Sequence, residues 1–285
     1  MKIVNVITLC CGRYDLYNRM LDSFIENVVF ENNDMFFNFF VHDDSGSDVL
    51  RSKIKNILVN KTKKIKNCKY SFCHSGTNVG QTKSMIKLVL SANFKDEDLI
   101  FQIEEDFVID EKIQIGKYLN IWEKWEDDNK NNLPELPARL MQIIFRTDAH
   151  SDLEMSEKGF INSRKNIVSI EDKKIVLCSN IYKDCTIYGG SIINNDLCCH
   201  PHISKGYVYN KITNQNLVIV EKSTAEDVLG MLNLEYAKMW INDKIYSSHI
   251  GSYRYHSVFK GAKIRSETSC RDKTSVSIKT IPEEE

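Results

Sequence analysis

No stretch of this chain approaches the roughly 18 uninterrupted apolar residues that a membrane-crossing helix requires. Its apolar N-terminus, residues 1–9, is too short and too weakly flanked for a secretory leader. These absences predict a soluble cytoplasmic protein. The chain also lacks the Gly-x-x-x-x-Gly-Lys-Ser/Thr, Gly-x-Gly-x-x-Gly and Gly-x-Ser-x-Gly patterns, which removes the common ATPase, dehydrogenase and hydrolase readings. An excess of either charge is missing as well: 38 basic against 39 acidic residues give a formal charge of -1, so any polyanion would have to be met by a local patch. The nine cysteines are an odd set without regular spacing, which speaks against a disulfide framework and for a reducing compartment. Cys198-Cys199-His200-Pro201-His202 contains metal-capable residue types, yet adjacent ligands strain a tetrahedral shell and no Cys-x-x-Cys pair completes one.

What is present is a chain of 285 residues, 42% hydrophobic, long enough to bury one sizeable mixed core. Residues 3–9 are β-branched and apolar on both faces, as a central parallel strand requires, and a helix pattern follows over 16–27. Apolar runs at 36–41, 70–74 and 98–103 read as three further strands, with a helix over 81–92. Strands alternating with helices predict a mixed, mainly parallel Rossmann-like sheet in a single α/β domain, with ligands beyond the carboxyl ends of the strands. A charged, Asn-rich stretch at 126–137, with Pro134 and Pro137, reads as a seam between residues 1–126 and 138–265. Beyond it come a strand over 139–145, a helix over 225–240, a strand-like 244–250 and a loosely ordered tail from 266. Residues 51–69 hold eight basic residues and no acid, and read as a solvated basic surface; a second basic stretch spans 254–279.

The sharpest feature is Glu104-Glu105-Asp106 at the end of the fourth strand, because three successive carboxylates repel one another and a divalent cation would relieve the repulsion. Strand alternation predicts Glu104 and Asp106 on one face, with Glu105 turned away. A solvated acidic turn is the commoner account of such a triplet taken alone.

The order of features resembles the GT-A nucleotide-sugar glycosyltransferases, close to the large inverting family with one Rossmann-like domain. The resemblance rests on Val6 to Tyr14 with Leu21-Asp22-Ser23, on Asp43-Asp44-Ser45-Gly46-Ser47, on Asn78-Val79-Gly80 with Lys83, and on the acidic triplet in the place of an Asp-x-Asp motif. It departs in having Gly12-Arg13 where Asn-Arg is frequent, and Glu for the first Asp. The resemblance implies that Thr8, Cys11, Arg13, Lys83, Glu104 and Glu105 line the donor and that Asp43 or Asp44 meets its base or ribose, usually uracil. It further implies that Asp106 ligates Mn²⁺ or Mg²⁺ on the donor diphosphate.

In the second half, Tyr188-Gly189-Gly190-Ser191 is similar to the family's glycine-rich loop at the sugar and acceptor, although a plain turn fits it too. Thr224-Ala225-Glu226-Asp227 is similar to the x-Glu-Asp motif, which would make Asp227 the general base and put Glu226 at the acceptor; a helix N-cap with acids in its first turn fits the same residues. Trp240 closes that helix, lining the acceptor pocket or packing in the core. Ser248-His249-Ile250-Gly251 resembles a terminal His-x-Gly whose imidazole completes the metal shell, with His256 as competitor. Tyr253, Arg254, Lys260 and Lys263 could clamp the diphosphate.

The expected activity is therefore metal-dependent, inverting transfer of a sugar, from a UDP-sugar first of all, to an acceptor hydroxyl. A glycan is the first candidate acceptor; a hydroxymethylated base of phage-type DNA is the alternative. A metal-dependent nuclease or phosphotransferase, and a catalytically silent nucleotide-sugar-binding module, are the rivals from other classes.

Overall fold

The first strand, β1 (Lys2–Cys10), is buried from Val4 through Thr8 and lies between two parallel neighbours. A computed structural model describes residues 1–132, 139–145, 147, 165–170, 173–179, 185–187, 190–192, 200–214, 236–241 and 244–250. After β1 come α1 (Tyr14–Phe24), β2 (Met35–Asp43), α2 (Asp48–Thr62), β3 (Cys68–His74), α3 (Gln81–Ala92) and β4 (Leu99–Gln102). These follow the sequence pattern closely, because apolar periodicity and polar strand-end loops agree along the whole stretch. β5 (Phe107–Ile109) and α4 (Ile115–Asn132) follow, then β6 (Arg139–Phe145), β7 (Lys165–Ile170), β8 (Lys173–Ser179), β9 (Cys185–Ile187), β10 (Gly190–Ile192) and β11 (His202–Lys205). α5 (Gly206–Asn214), β12 (Tyr236–Ile241) and β13 (Ser247–His249) complete the described elements.

Nine strands form one sheet in the order β3-β2-β1-β4-β11-β6-β12-β8-β7. Its first four strands are parallel; β11 then runs antiparallel to both β4 and β6. The sheet continues from the strands before residue 133 to those after residue 138. Two buried asparagines link its strands: Asn38 Nδ2 donates to Asn5 Oδ1 at 3.0 Å, and Asn5 Nδ2 to the Leu99 carbonyl at 3.2 Å, so a side-chain ladder crosses β2, β1 and β4.

α1 buries Leu16, Tyr17, Met20, Leu21 and Phe24, a stripe at helical spacing. Phe24 reaches the sheet edge-on, with ring centroids 5.2 to 6.0 Å from Phe37, Phe39 and Phe101. The helix then widens into a π turn (Ile25–Val29) and ends in a 3₁₀ turn (Phe30–Asn32). There the buried Asn32 amide donates to Ile113 O at 3.0 Å and accepts from Ile115 N at 3.1 Å, which fixes the start of α4.

Two sequence expectations are corrected. The stretch from 126 to 132 is the last part of α4, because Tyr118, Leu119, Ile121, Trp122 and Trp125 bury one face of that helix and carry it past the charged residues; 133–138 lie outside the described residues. Trp240 lies in a strand, not a helix: β12 pairs with β6 and β8, and Met239 and Ile241 are buried at the two-residue period of a strand. Its apolar residues satisfy either period over so short a stretch, and pairing on both sides decides the outcome. Among the described residues, no helix is long and apolar enough to cross a membrane.

Candidate active site

Four parallel strands deliver four polar loops to one edge of the sheet, and the loops interlock. Gly46 holds φ at +66°, and a Cβ there would sit 2.9 Å from the Asn78 backbone nitrogen, so the β2 and β3 loops touch backbone to side. Asp44 closes the contact. Its two carboxylate oxygens accept from Val79 N and Gly80 N, both at 2.8 Å, and Asn78 Nδ2 reaches Cys11 Sγ at 3.3 Å. Asp43 is fully buried and accepts from the Ser45 hydroxyl at 2.7 Å; burial pushes its carboxyl above the ordinary range, with Ser45 and Arg51 pulling it back. Of the two candidate base readers, Asp44 therefore has both oxygens committed to backbone amides.

The acidic triplet is arranged differently from the alternation expected of a strand end. β4 ends at Gln102, and the backbone turns through Glu104–Phe107, where Phe107 N donates to Glu104 O at 3.3 Å. Glu104 accepts from Gln81 Nε2 at 2.5 Å. Glu105, expected to turn away, is 1% exposed and faces inward, with Oε1 accepting from Cys11 N at 2.8 Å and Arg13 Nε at 2.7 Å. Arg13 also donates through Nη1 to Asp106 Oδ2 at 2.8 Å, so one guanidinium bridges two neighbouring carboxylates. Burial opposes the charge on Arg13, but the attraction of Glu105 and Asp106 outweighs it and raises its pKa.

His249 enters from the far end of the sequence. β13 runs antiparallel to β5 with His249 opposite Phe107, and Ile250 N donates to Asp106 O at 2.7 Å. Its Nε2 thus lies 3.4 Å from Asp106 Oδ2. Burial alone would raise the Asp106 carboxyl; the hydrogen bond from His249 and the charge of Arg13 hold it well below the usual carboxylate range. Glu105, by contrast, is pushed up by burial against the pull of Arg13. The two acids on Arg13 are thus shifted in opposite directions.

A second imidazole, from the Cys-Cys-His-Pro-His stretch whose spacing spoke against a metal site, also arrives here. The Phe107 ring lies between His249, with centroids 4.7 Å apart, and His200, with centroids 5.3 Å apart. His200 Nδ1 is 3.3 Å from Thr147 Oγ1, and burial, then the neighbouring His249, lowers its pKa to about 4. No local spacing could have signalled His200, which the antiparallel pairing of β11 with β4 brings beside Phe107. His202 belongs to the core, 3.0 Å from the Tyr209 hydroxyl.

The residues were tested for fit to a divalent cation. Asp106 Oδ1 and Glu105 Oε2 are buried with no hydrogen-bond partner, which is costly for a carboxylate oxygen unless another group meets it. Carboxylate oxygen suits Mn²⁺ or Mg²⁺, and an imidazole nitrogen beside it is a softer ligand that fits Mn²⁺ better than Mg²⁺. Among the described residues, no cluster of three or more His, Cys, Asp or Glu could hold a metal ion. Asp106 and His249 would thus be a partial shell, of the sort that substrate phosphates complete.

The other expected site residues divide into two groups. Thr8 is 3% exposed within β1, Lys83 is exposed in the first turn of α3, and Gly190 opens β10, paired with Ile187. Gly189, Glu226, Asp227, Arg254 and Lys260 lie outside the described residues, as do Tyr253, His256 and Lys263.

No family model matches the chain. A solved mannosyltransferase of Pyrobaculum calidifontis, in complex with GDP-Man and Mn²⁺, is 11% identical with a TM-score of 0.50, over 89% of this chain and 59% of that one. The fold is similar to that of this glycosyltransferase. Residues 1–349 of Staphylococcus aureus TarS, in complex with UDP-GlcNAc, are 15% identical with a TM-score of 0.47, over 90% and 60% of the two chains. The chain thus spans about 60% of the length of these two structures. Among curated proteins, the mitochondrial tRNA modification GTPase MSS1 of Saccharomyces cerevisiae is 25% identical over 126 residues, 43% of this chain and 23% of that protein. No Gly-x-x-x-x-Gly-Lys-Ser/Thr loop occurs anywhere in this sequence.

Proposed function

We propose that the protein is a metal-dependent glycosyltransferase that moves a sugar from a nucleotide-sugar donor to an acceptor hydroxyl with inversion. The observation that carries this reading is the meeting of Asp106 and His249 beside an orphaned carboxylate oxygen, at the strand ends where this fold takes ligands. A mannosyltransferase of similar fold is solved with GDP-Man and Mn²⁺, which supports a nucleoside-diphosphate sugar as donor.

Asp106 and His249 would hold Mn²⁺ or Mg²⁺; when bound, the ion supplies Lewis-acid stabilisation to the leaving diphosphate. Asp44 orders the Asn78–Gly80 turn, leaving the rim formed with Cys11 to border the nucleoside. Arg13 carries a positive charge at the same edge; transferred to a phosphate oxygen, its second hydrogen bond would free Asp106. Asp227 is assigned the acceptor proton, with Glu226 beside it, while Arg254 and Lys260 neutralise the departing nucleotide. A glycan is the preferred acceptor, in a cytoplasmic setting.

Thermal shift with UDP-, GDP- and ADP-sugars, each with and without Mn²⁺, tests the reading. A nucleotide sugar should raise the melting temperature only with Mn²⁺, and Asp106→Asn should abolish the rise. No rise with any nucleotide sugar, or an equal rise in the variant, overturns it.

A further inference from the structure

Between Asp48 and Asp96 the chain carries eleven lysines and arginines and not one aspartate or glutamate, although the whole protein is nearly neutral. This segment comprises α2, the edge strand β3 and α3, so the acid-free part of the sequence forms one edge of the sheet and the helices on either side of that strand in sequence. Not all of its cations are available. Arg51 pairs with Asp48 at 2.7 Å, Lys61 with Asp22, and Lys53 lies over the Tyr14 ring at 4.2 Å. Lys55, Lys63, Lys64, Lys66 and Lys69 are exposed and have no carboxylate within ion-pairing distance among the described residues. Three of these five, Lys63, Lys64 and Lys66, fall in the turn from α2 into β3, and Lys69 follows at the start of β3.

That turn borders a groove of about 540 Å³ at the amino-terminal edge of the sheet, the end opposite Asp106. Lys64, Lys66 and Lys112 line it, together with Phe30, whose ring is 64% exposed; Glu26 is also on its wall, and Lys112 is paired with Glu31. The exposed face of α2 carries Ser52, Asn56 and Asn60 between its lysines, with Val49 exposed in its first turn. The three polar side chains are hydrogen-bonding groups suited to phosphate and sugar oxygens.

From this arrangement we infer that the α2–β3 side binds a single nucleic-acid strand, with phosphates along Lys55, Lys63, Lys64, Lys66 and Lys69 and an unpaired base against Phe30. Phosphate supplies the negative charge that complements the five cations, and an exposed aromatic ring beside them is the platform on which an unpaired base stacks. The site is remote from the Asp106 edge and does not rest on the transferase reading.

Fluorescence anisotropy of a labelled 20-nucleotide single strand with the 285-residue chain tests it. Binding is expected to weaken steeply with salt, and Lys63→Gln/Lys64→Gln/Lys66→Gln to weaken it about 100-fold at 0.1 M salt while lowering the salt slope by about 2. Phe30→Ala should cost about tenfold on the single strand. All four side chains are exposed, and an unchanged melting temperature verifies the fold of each variant. Asp106→Asn should bind the oligonucleotide like the parent, separating this surface from the transferase site. Absence of binding, equal affinity in the triple variant, a preference for duplex, or tighter binding to vesicles of anionic lipid than to the oligonucleotide would overturn the proposal.

Discussion

His249 Nε2 stands 3.4 Å from Asp106 Oδ2 because β13 pairs with β5 in the register that sets His249 opposite Phe107. Two groups so placed should behave as a unit toward a cation. Asp106→Asn and His249→Ala are each expected to remove most of the Mn²⁺-dependent rise in melting temperature, and the double variant to lose little more. A full Mn²⁺ response in His249→Ala, measured by calorimetric titration, would show that the imidazole is not a ligand.

Arg13 is the counter-ion of two buried carboxylates, so its removal should be felt first as lost stability. Arg13→Met leaves Glu105 and Asp106 without their shared cation, at a cost of about 3 to 5 kcal/mol for a buried pair broken on one side. Urea denaturation should show this loss without Mn²⁺, and added Mn²⁺ should recover more stability in the variant than in the parent. Equal Mn²⁺ effects in the two proteins would mean that the ion does not substitute for the guanidinium.

A buried histidine gives the fold an acid limit. His42 lies 3.0 Å from the Ser75 hydroxyl and 3.2 Å from Cys73 Sγ, and burial, then Lys87 and His74, lower its pKa to about 4. In the unfolded chain the group returns to its ordinary value near 6.5, so between these pH values the unfolded state binds the extra proton. Its contribution is complete above about pH 6.5 and is lost as pH falls toward 4, amounting to about 2 kcal/mol at pH 5. His200, lowered to the same level, adds a loss of the same sign. Urea midpoints at pH 7 and pH 5 should differ less in His42→Gln than in the parent.

The first half of the molecule was readable because each of its signals agrees with the others. β1, β2, β3, α3 and β4 stand close to where apolar runs and glycine-bearing loops put them, and the loops gather at one edge because parallel strands all end there. The charges within the acidic triplet were less legible. Strand alternation gave Glu105 the outward place, but β4 ends before the triplet, and Arg13, some ninety residues earlier, turns Glu105 and Asp106 to the same side. His249 carried a faint local signal and His200 none as a partner of the site, since only the β5–β13 and β4–β11 pairings bring them together. β12 escaped because its neighbours in the sheet are distant in sequence, and a short apolar segment does not declare its period.

The last prediction separates two roles for Asp44. If its carboxylate read the donor base directly, Asp44→Asn would alter nucleotide preference and leave the free protein's stability nearly unchanged. The geometry argues otherwise: both oxygens accept backbone amides of the Asn78–Gly80 turn at 2.8 Å, and the residue is 5% exposed. An asparagine keeps one acceptor and turns an N–H₂ group toward the other amide, which leaves a buried donor unmet at a cost of about 1 to 3 kcal/mol. Gly46→Ala should disturb the same junction from the other side, since a Cβ there meets the Asn78 backbone and φ is +66°. The two variants should therefore lower the urea midpoint and weaken donor binding together, without changing the order of preference among UDP, GDP and ADP in competition. A changed order with an unchanged midpoint would return Asp44 to the base.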